Sequence, residues 1–223
     1  MARRTKPVDS QPATERPAPP PTLDAIRDQA NGCRRCPLWE RATQTVFGAG
    51  AEDAAIVLVG EQPGDKEDLA GEPFVGPAGQ LLRKALAEVG LDERRVYLTN
   101  AVKHFKWVPR GTRRLHEKPN TAELLACQLW LELELQRIAP RLVVAMGATA
   151  VRSLLGPSGR VTRDRGRAFP RAGGTPVLVT VHPSSILRAP DDASRRQAYQ
   201  AFVKDLKVAV RHTTRAASAR RRG

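Results

Sequence analysis

Apolar residues are grouped along the chain in two alternating rhythms. Ala55-Ile-Val-Leu-Val-Gly60 is an unbroken apolar run closed by glycine, the mark of a strand covered on both faces. Val96-Tyr-Leu-Thr-Asn100, Leu142-Val-Val-Ala-Met146 and Val177-Leu-Val-Thr-Val181 read as three further strands. Between them the spacing becomes helical. Thr22 opens a short helix with Leu23 and Ile26 inward, which stops at Asn31-Gly32. After Pro77, the residues Leu81, Leu82, Ala85, Leu86 and Val89 make one stripe ending at Gly90. Helices are also predicted from about Thr121 to Ile138 and over 148–155, and Tyr199, Phe202, Val203, Leu206 and Val210 stripe a last one. Strand and helix alternating in this way predict an α/β domain with a central four-stranded parallel sheet, covered by helices on both faces. A polar, basic loop fills the stretch after Asn100.

Composition narrows the picture. The chain has 223 residues, is 41% hydrophobic and carries 37 Lys+Arg against 23 Asp+Glu, a net charge of +14. Residues 1–21, rich in proline and arginine, read as a disordered arm, and residues 211–223 as a basic disordered tail. The arm holds +2 and the tail +5, so the domain at 22–210 keeps +7. A polyanionic partner is expected, although charge alone does not separate nucleic acid from other polyanions. No run approaches the ~20 apolar residues of a membrane span, and no apolar stretch follows the N-terminal charges as in a secretory signal. Three cysteines make no closed disulfide framework, so a reducing cytoplasm is the expected setting.

In a parallel α/β sheet, the loops after the strand C-termini build the ligand site. The loop after Gly60 is rich in Gly and Pro, yet lacks both the Gly-Lys-Ser/Thr ending of a P-loop and a dinucleotide glycine fingerprint. It carries Glu61, Asp65, Glu67 and Asp68, which either solvate the loop or face a developing cation. After the fourth strand, His182 is followed by Pro183, placing a hydrogen-bond donor at a strand end.

Four segments taken together carry a resemblance. Gly60-Glu-Gln-Pro-Gly-Asp-Lys-Glu-Asp68, Pro73-Phe-Val-Gly-Pro-Ala-Gly79, Thr99-Asn-Ala-Val-Lys103 and His182-Pro-Ser-Ser185 resemble the uracil-DNA glycosylase superfamily, nearest its iron–sulfur branch, over about 24–210. The resemblance implies a three-layer α/β/α, uracil-DNA glycosylase-like domain that flips uracil from DNA and breaks its N-glycosidic bond. It implies that Phe74 stacks on the base, Asn100 reads its amide edge, and Gln62 and Asp65 line the same pocket. His182 would stabilise the departing uracil anion, and Glu61 the oxocarbenium-like sugar.

One loop departs from that branch. Where ordinary members have Lys-Cys, this chain has Lys103-His104, followed by an inserted Val108-Pro-Arg-Gly-Thr-Arg-Arg-Leu-His-Glu117. Arg113-Arg-Leu-His116 resembles the Lys-Arg-Arg-Ile-His loop of the UdgX subgroup, with Leu115 for Ile and Thr112 where a Lys is usual. That subgroup implies a covalent end point, in which His116 attacks the sugar and stays bonded to it. A neutral imidazole is a competent nucleophile near pH 7. A multiple-turnover glycosylase and a non-catalytic DNA-damage binder are the alternatives.

Cys33, Cys36 and Cys127 occupy positions that the resemblance gives to cluster ligands, with His104 as the fourth. As a Cys3His set these residues admit zinc equally, while the resemblance favours a structural 4Fe–4S cluster. Uracil-containing DNA, single- or double-stranded, is the expected partner of a monomer. Lys103, Arg113, Arg114, Ser184 and Arg188 are its candidate contacts. Lys103-His-Phe-Lys-Trp107 interleaves cations with aromatics, and Ile186 with Leu187 is the candidate wedge.

Overall fold

The computed structural model of the protein describes residues 21–171 and 174–220, with side chains up to 214. The proposed arm at 1–21 therefore lies, but for Pro21, outside the described residues, as does the end of the tail at 221–223. Chain order runs α1 (Leu23–Asn31), β1 (Ala49–Gly50), β2 (Ile56–Gly60), α2 (Asp65–Ala70), α3 (Pro77–Glu88) and β3 (Val96–Asn100). A hairpin follows, β4 (Trp107–Arg110) and β5 (Arg113–His116), then α4 (Thr121–Ile138), β6 (Leu142–Met146), α5 (Ala148–Leu155) and α6 (Val161–Asp164). The chain closes with β7 (Ala168–Phe169), β8 (Val177–Thr180), α7 (Pro183–Leu187) and α8 (Asp192–Arg220).

The main sheet has the order β1-β3-β2-β6-β8-β7. Its four central strands are parallel, as expected. Two-residue strands pair antiparallel at each edge, so the sheet has six strands rather than four. Runs that short give no periodic signal, which is why the pattern missed them. Alternation along the central strands sends side chains to two cores. Val57, Val59, Tyr97, Val143 and Val179 pack with α1, α4 and α5. Ile56, Leu58, Leu98, Val144 and Leu178 pack with α3, α7 and α8. This is the three-layer α/β/α arrangement. No helix among the described residues is long and apolar enough to cross a membrane.

Two further differences from the sequence reading matter. The last helix runs to Arg220, ten residues past the boundary drawn at 210. The stretch read as a basic loop after Asn100 contains the β4–β5 hairpin, turning at Gly111, whose φ of 58° is left-handed. The register pairs Trp107 with His116 and Arg110 with Arg113.

Candidate active site

The strand ends bring β2 and β3 together with Gly60 opposite Asn100. A cleft of about 990 Å³ opens there, lined by residues that include Glu61, Gln62, Asp65, Phe74, Asn100, His116 and His182. Gly60 is required by close approach. A Cβ on it would stand 2.3 Å from Asn100 Oδ1, 2.7 Å from Phe74 Cζ and 3.3 Å from His182 Nε2. Three of the sequence candidates thus converge above a backbone with no side chain of its own.

Phe74 is held in an unusual conformation. Its φ of 60° is left-handed, a strained state for a bulky residue. Arg83 Nη1 donates to the Phe74 carbonyl at 2.8 Å, and Glu93 holds Arg83 Nε at 2.6 Å. The Phe74 and His182 rings stack loosely, with centroids 6.1 Å apart and planes at 28°. His182 caps α7, and its Nδ1 accepts from the Ser184 backbone N–H at 3.2 Å. A neutral ring with Nδ1 as acceptor carries its proton on Nε2, which faces the convergence point. Burial keeps the ring neutral, pushing its pKa down to about 4 against a smaller opposing pull from Glu61.

On the other side of the cleft stands Glu61. Its Oε1 lies 3.1 Å from His116 Nε2, and its Oε2 accepts a hydrogen bond from Thr149 Oγ1 at the start of α5. Burial pulls the carboxyl upward, but the hydrogen bonds from His116 and Thr149 more than offset it. Glu61 therefore titrates below its ordinary range and is a carboxylate at neutral pH. Thr149 was not among the sequence candidates, although it lies just after the end of a central strand, where a parallel sheet places its ligand site.

The hairpin is fastened to this cleft by side chains. Gln62 Nε2 donates to the carbonyls of Lys106 (3.1 Å) and Glu117 (3.0 Å), and its Oε1 accepts from Lys106 N at 3.2 Å. The Gln62 amide thus joins the two feet of the hairpin. Arg114, expected on DNA, reaches inward to Asp65 and Asp68, at 2.6 Å each, and stacks near Phe105 and Trp107. Asp68, fully buried, also accepts from Thr43 N at 3.0 Å. Glu67 receives N–H bonds from Gly64 (3.1 Å) and Gly76 (2.7 Å), which shapes the loop. These acids hold the loop together from within and do not merely solvate it.

Other candidates are distributed differently. Lys103 is a correction: its side chain is 0% exposed, and Nζ is ion-paired to Glu134 at 2.6 Å and bonded to Thr99 Oγ1 and the Asn100 carbonyl. A group so enclosed cannot grip DNA; it braces the Asn100 strand end from within the core. Ile186 is likewise buried, at 1% exposure, which leaves Leu187, 38% exposed, as the apolar residue at that rim. Ser184 and Arg188 line the cleft, with Ser184 Oγ 2.8 Å from His182 Nδ1. Arg113 is exposed at the hairpin tip.

The three cysteines gather on the α1–α4 side, where Cys33 and Cys36 pack against the core that contains Cys127. Burial raises the thiols of Cys36 and Cys127, the latter to about 12, and the neighbouring sulfurs add to both shifts. Trp130 Nε1 donates to Cys33 Sγ at 3.1 Å and Lys103 N to Cys127 Sγ at 3.2 Å, the kind of N–H support that suits cluster thiolates. His104 departs from this set: its ring nitrogen is 3.0 Å from Thr45 Oγ1. Among the described residues no three His, Cys, Asp or Glu side chains stand at ligating geometry. The three sulfurs and their N–H donors have the chemistry that a thiolate-held group takes, but they do not stand at ligating geometry, and His104 as oriented does not complete the set.

Comparison with known proteins adds to this geometry. The sequence profile of the Uracil DNA glycosylase superfamily matches residues 47–207. The chain is 37% identical to a type-4 uracil-DNA glycosylase of Thermotoga maritima over 175 residues, 78% of this chain and 88% of that one. It is 34% identical to a type-4 uracil-DNA glycosylase of Archaeoglobus fulgidus, covering 83% and 92%. A type-5 uracil-DNA glycosylase of Thermus thermophilus is also 34% identical, over 74% and 80%.

Proposed function

Because the chain belongs to the uracil-DNA glycosylase superfamily, we propose that it excises uracil from DNA and then bonds to the abasic sugar through His116. In this reading the flipped base lies against Phe74, with Asn100 addressing its amide edge. As the N-glycosidic bond breaks, its electron pair goes to uracil, and the Nε2–H of His182 stabilises the anion. The ionised Glu61 offsets positive charge on the sugar. The ring nitrogen of His116 that does not donate to Glu61 then supplies its lone pair to C1′, and the resulting imidazolium gives up its remaining N–H proton to solvent. Glu61 compensates the ring's charge until that proton leaves.

The observation that carries the reading is the 3.1 Å approach of His116 Nε2 to Glu61 Oε1. It puts a nucleophile beside the carboxylate that marks the cation's position, at a high effective concentration. Cys33, Cys36 and Cys127 would hold a 4Fe–4S cluster, which would tie the N-terminal segment to α4 and take no part in bond breaking. A second reading is favoured by the type-4 relatives: turnover with release of a free abasic strand.

A labelled strand with one uracil, incubated with the protein and run on a denaturing gel, separates the two. A shifted, denaturant-resistant band is expected, and His116→Ser should abolish it while uracil release remains measurable. An adduct that survives that substitution would falsify the assignment of His116. Alkali-labile free strand with no shifted band would support turnover.

A further inference from the structure

Several arginines among the described residues are matched with carboxylates, as Arg83 is with Glu93, Arg137 with Glu52, Arg165 with Asp205 and Arg171 with Glu132. Arg34 and Arg41 are not. Each instead lies over an indole: Arg34 with its Cζ 4.6 Å from the Trp39 ring centroid, Arg41 with its Cζ 4.8 Å from that of Trp107. Trp39, in the helical turn Pro37–Glu40, is 36% exposed, and the Trp107 Nε1–H donates to the Arg41 carbonyl at 2.8 Å. The two stacks are therefore linked through the short segment between Trp39 and Arg41. They also reach the cleft, because Trp107 is the cross-strand partner of His116.

The chemistry of this surface selects a partner. A guanidinium lying on an indole keeps its in-plane N–H groups free for phosphate oxygens. An exposed tryptophan offers an apolar face on which a base can stack. Phosphates are present on any nucleic acid, but a free base face is offered only by an unpaired strand. We propose that Arg34, Trp39, Arg41 and Trp107 form a track for single-stranded DNA, running from the hairpin onto the segment around Cys36. The choice of DNA rests on the glycosylase reading; the choice of a single strand rests on the stacks.

The test is fluorescence anisotropy on the purified full chain, with a uracil-free 20-nucleotide thymidine strand and a 20-base-pair duplex as probes. Arg34→Ala/Trp39→Ala/Arg41→Ala should weaken strand binding at least tenfold and duplex binding less than threefold. The slope of log affinity against log salt for the strand should become shallower by about 1.4, the contribution of two single-strand phosphate contacts. Arg41→Gln alone, which leaves the segment between Cys33 and Cys36 intact, should weaken strand binding about threefold. Equal losses on strand and duplex, or no loss on either, would overturn the proposal. So would displacement of the strand by polyglutamate as readily as by unlabelled strand. Uracil release by the unaltered protein, assayed in parallel, reports on the glycosylase reading by itself: tight strand binding without release would sink that reading and leave the track standing.

Discussion

The two walls of the cleft are built differently. The pocket that holds Asn100, Phe74 and His182 is fixed by backbone: parallel strand ends, a glycine that clears the space, and a left-handed Phe74. The wall that presents His116 is a two-stranded hairpin, which has little stability of its own. It is held by the Gln62 amide at its feet and by Arg114 at Asp65 and Asp68. A site with base excision on the rigid wall and covalent capture on the fastened one should be separable by mutation. On the proposed reading, changes to the first should abolish both steps, and changes to the fastenings should affect capture alone.

The largest effect should come from the rigid wall. His182→Ala removes the donor facing the leaving base, and uracil release should fall by about 10²–10³-fold, with adduct formation falling in parallel. If single-turnover assays give an unchanged release rate, the backbone-built pocket is not where the bond breaks. The same residue sets an acid limit on stability. In the unfolded chain it has the ordinary imidazole pKa of about 6.5, but in the fold burial pushes it down to about 4, so between these values the unfolded state binds the extra proton. Stability therefore rises with pH across that window and is lost as pH falls from about 6.5 towards 4, by up to about 3 kcal/mol. His182→Gln should flatten this part of the Tm-against-pH curve; an unchanged slope would place the titration elsewhere.

How well each wall could be read from the sequence follows the same division. Gly60 and Asn100 end apolar runs whose periodicity is plain, and the helix expected at Thr121–Ile138 has those bounds in the structure. The hairpin gave no such signal. Its strands are four residues each, mostly exposed, and one contains Pro109, so neither alternation nor β-propensity marks them. Lys103 was misread for a related reason. Its neighbours His104, Lys106 and Trp107 look like a basic surface, whereas its partner Glu134 is 31 residues away on the buried stripe of α4. A glutamate between Leu131 and Leu135 was the available clue that a cation must be buried opposite it. Arg113 and Arg114 are adjacent and chemically alike, yet strand alternation sends only Arg114 inward to Asp68. Tertiary pairing decides such residues.

The fastened wall predicts a smaller and more selective effect. Arg114→Met should reduce adduct yield about tenfold while leaving uracil release within about threefold, because only the presentation of His116 is loosened. It should also lower stability by about 2 kcal/mol, since the buried Asp68 loses its cation and keeps only the Thr43 backbone N–H. Arg114→Met/Asp68→Asn should recover that stability without recovering the adduct. Recovery of both would mean that the clasp matters only for folding. Arg114→Lys should rescue poorly, because one ammonium cannot reach both Asp65 and Asp68 as the forked guanidinium does.

Thr149 lies where the two walls meet, and its effect should be the smallest. Its hydroxyl occupies Glu61 Oε2 while His116 occupies Oε1, so one carboxylate is oriented from both sides. Thr149→Val preserves shape and removes the donor. Without it, burial is opposed by one fewer hydrogen bond and the Glu61 pKa must rise. At neutral pH the carboxyl remains ionised, so uracil release should fall only about fivefold, the value of one net hydrogen bond. The acid limb of its pH profile should move to higher pH, because a larger share of Glu61 is then protonated at each acidic pH. Thr149→Ser, which keeps the hydroxyl, should leave that limb in place. A profile that moves equally in the Ser and Val variants would make Thr149 a packing residue of α5. If the limb moves in the Val variant alone, Glu61 is tuned by the rigid wall even as it holds the histidine of the other.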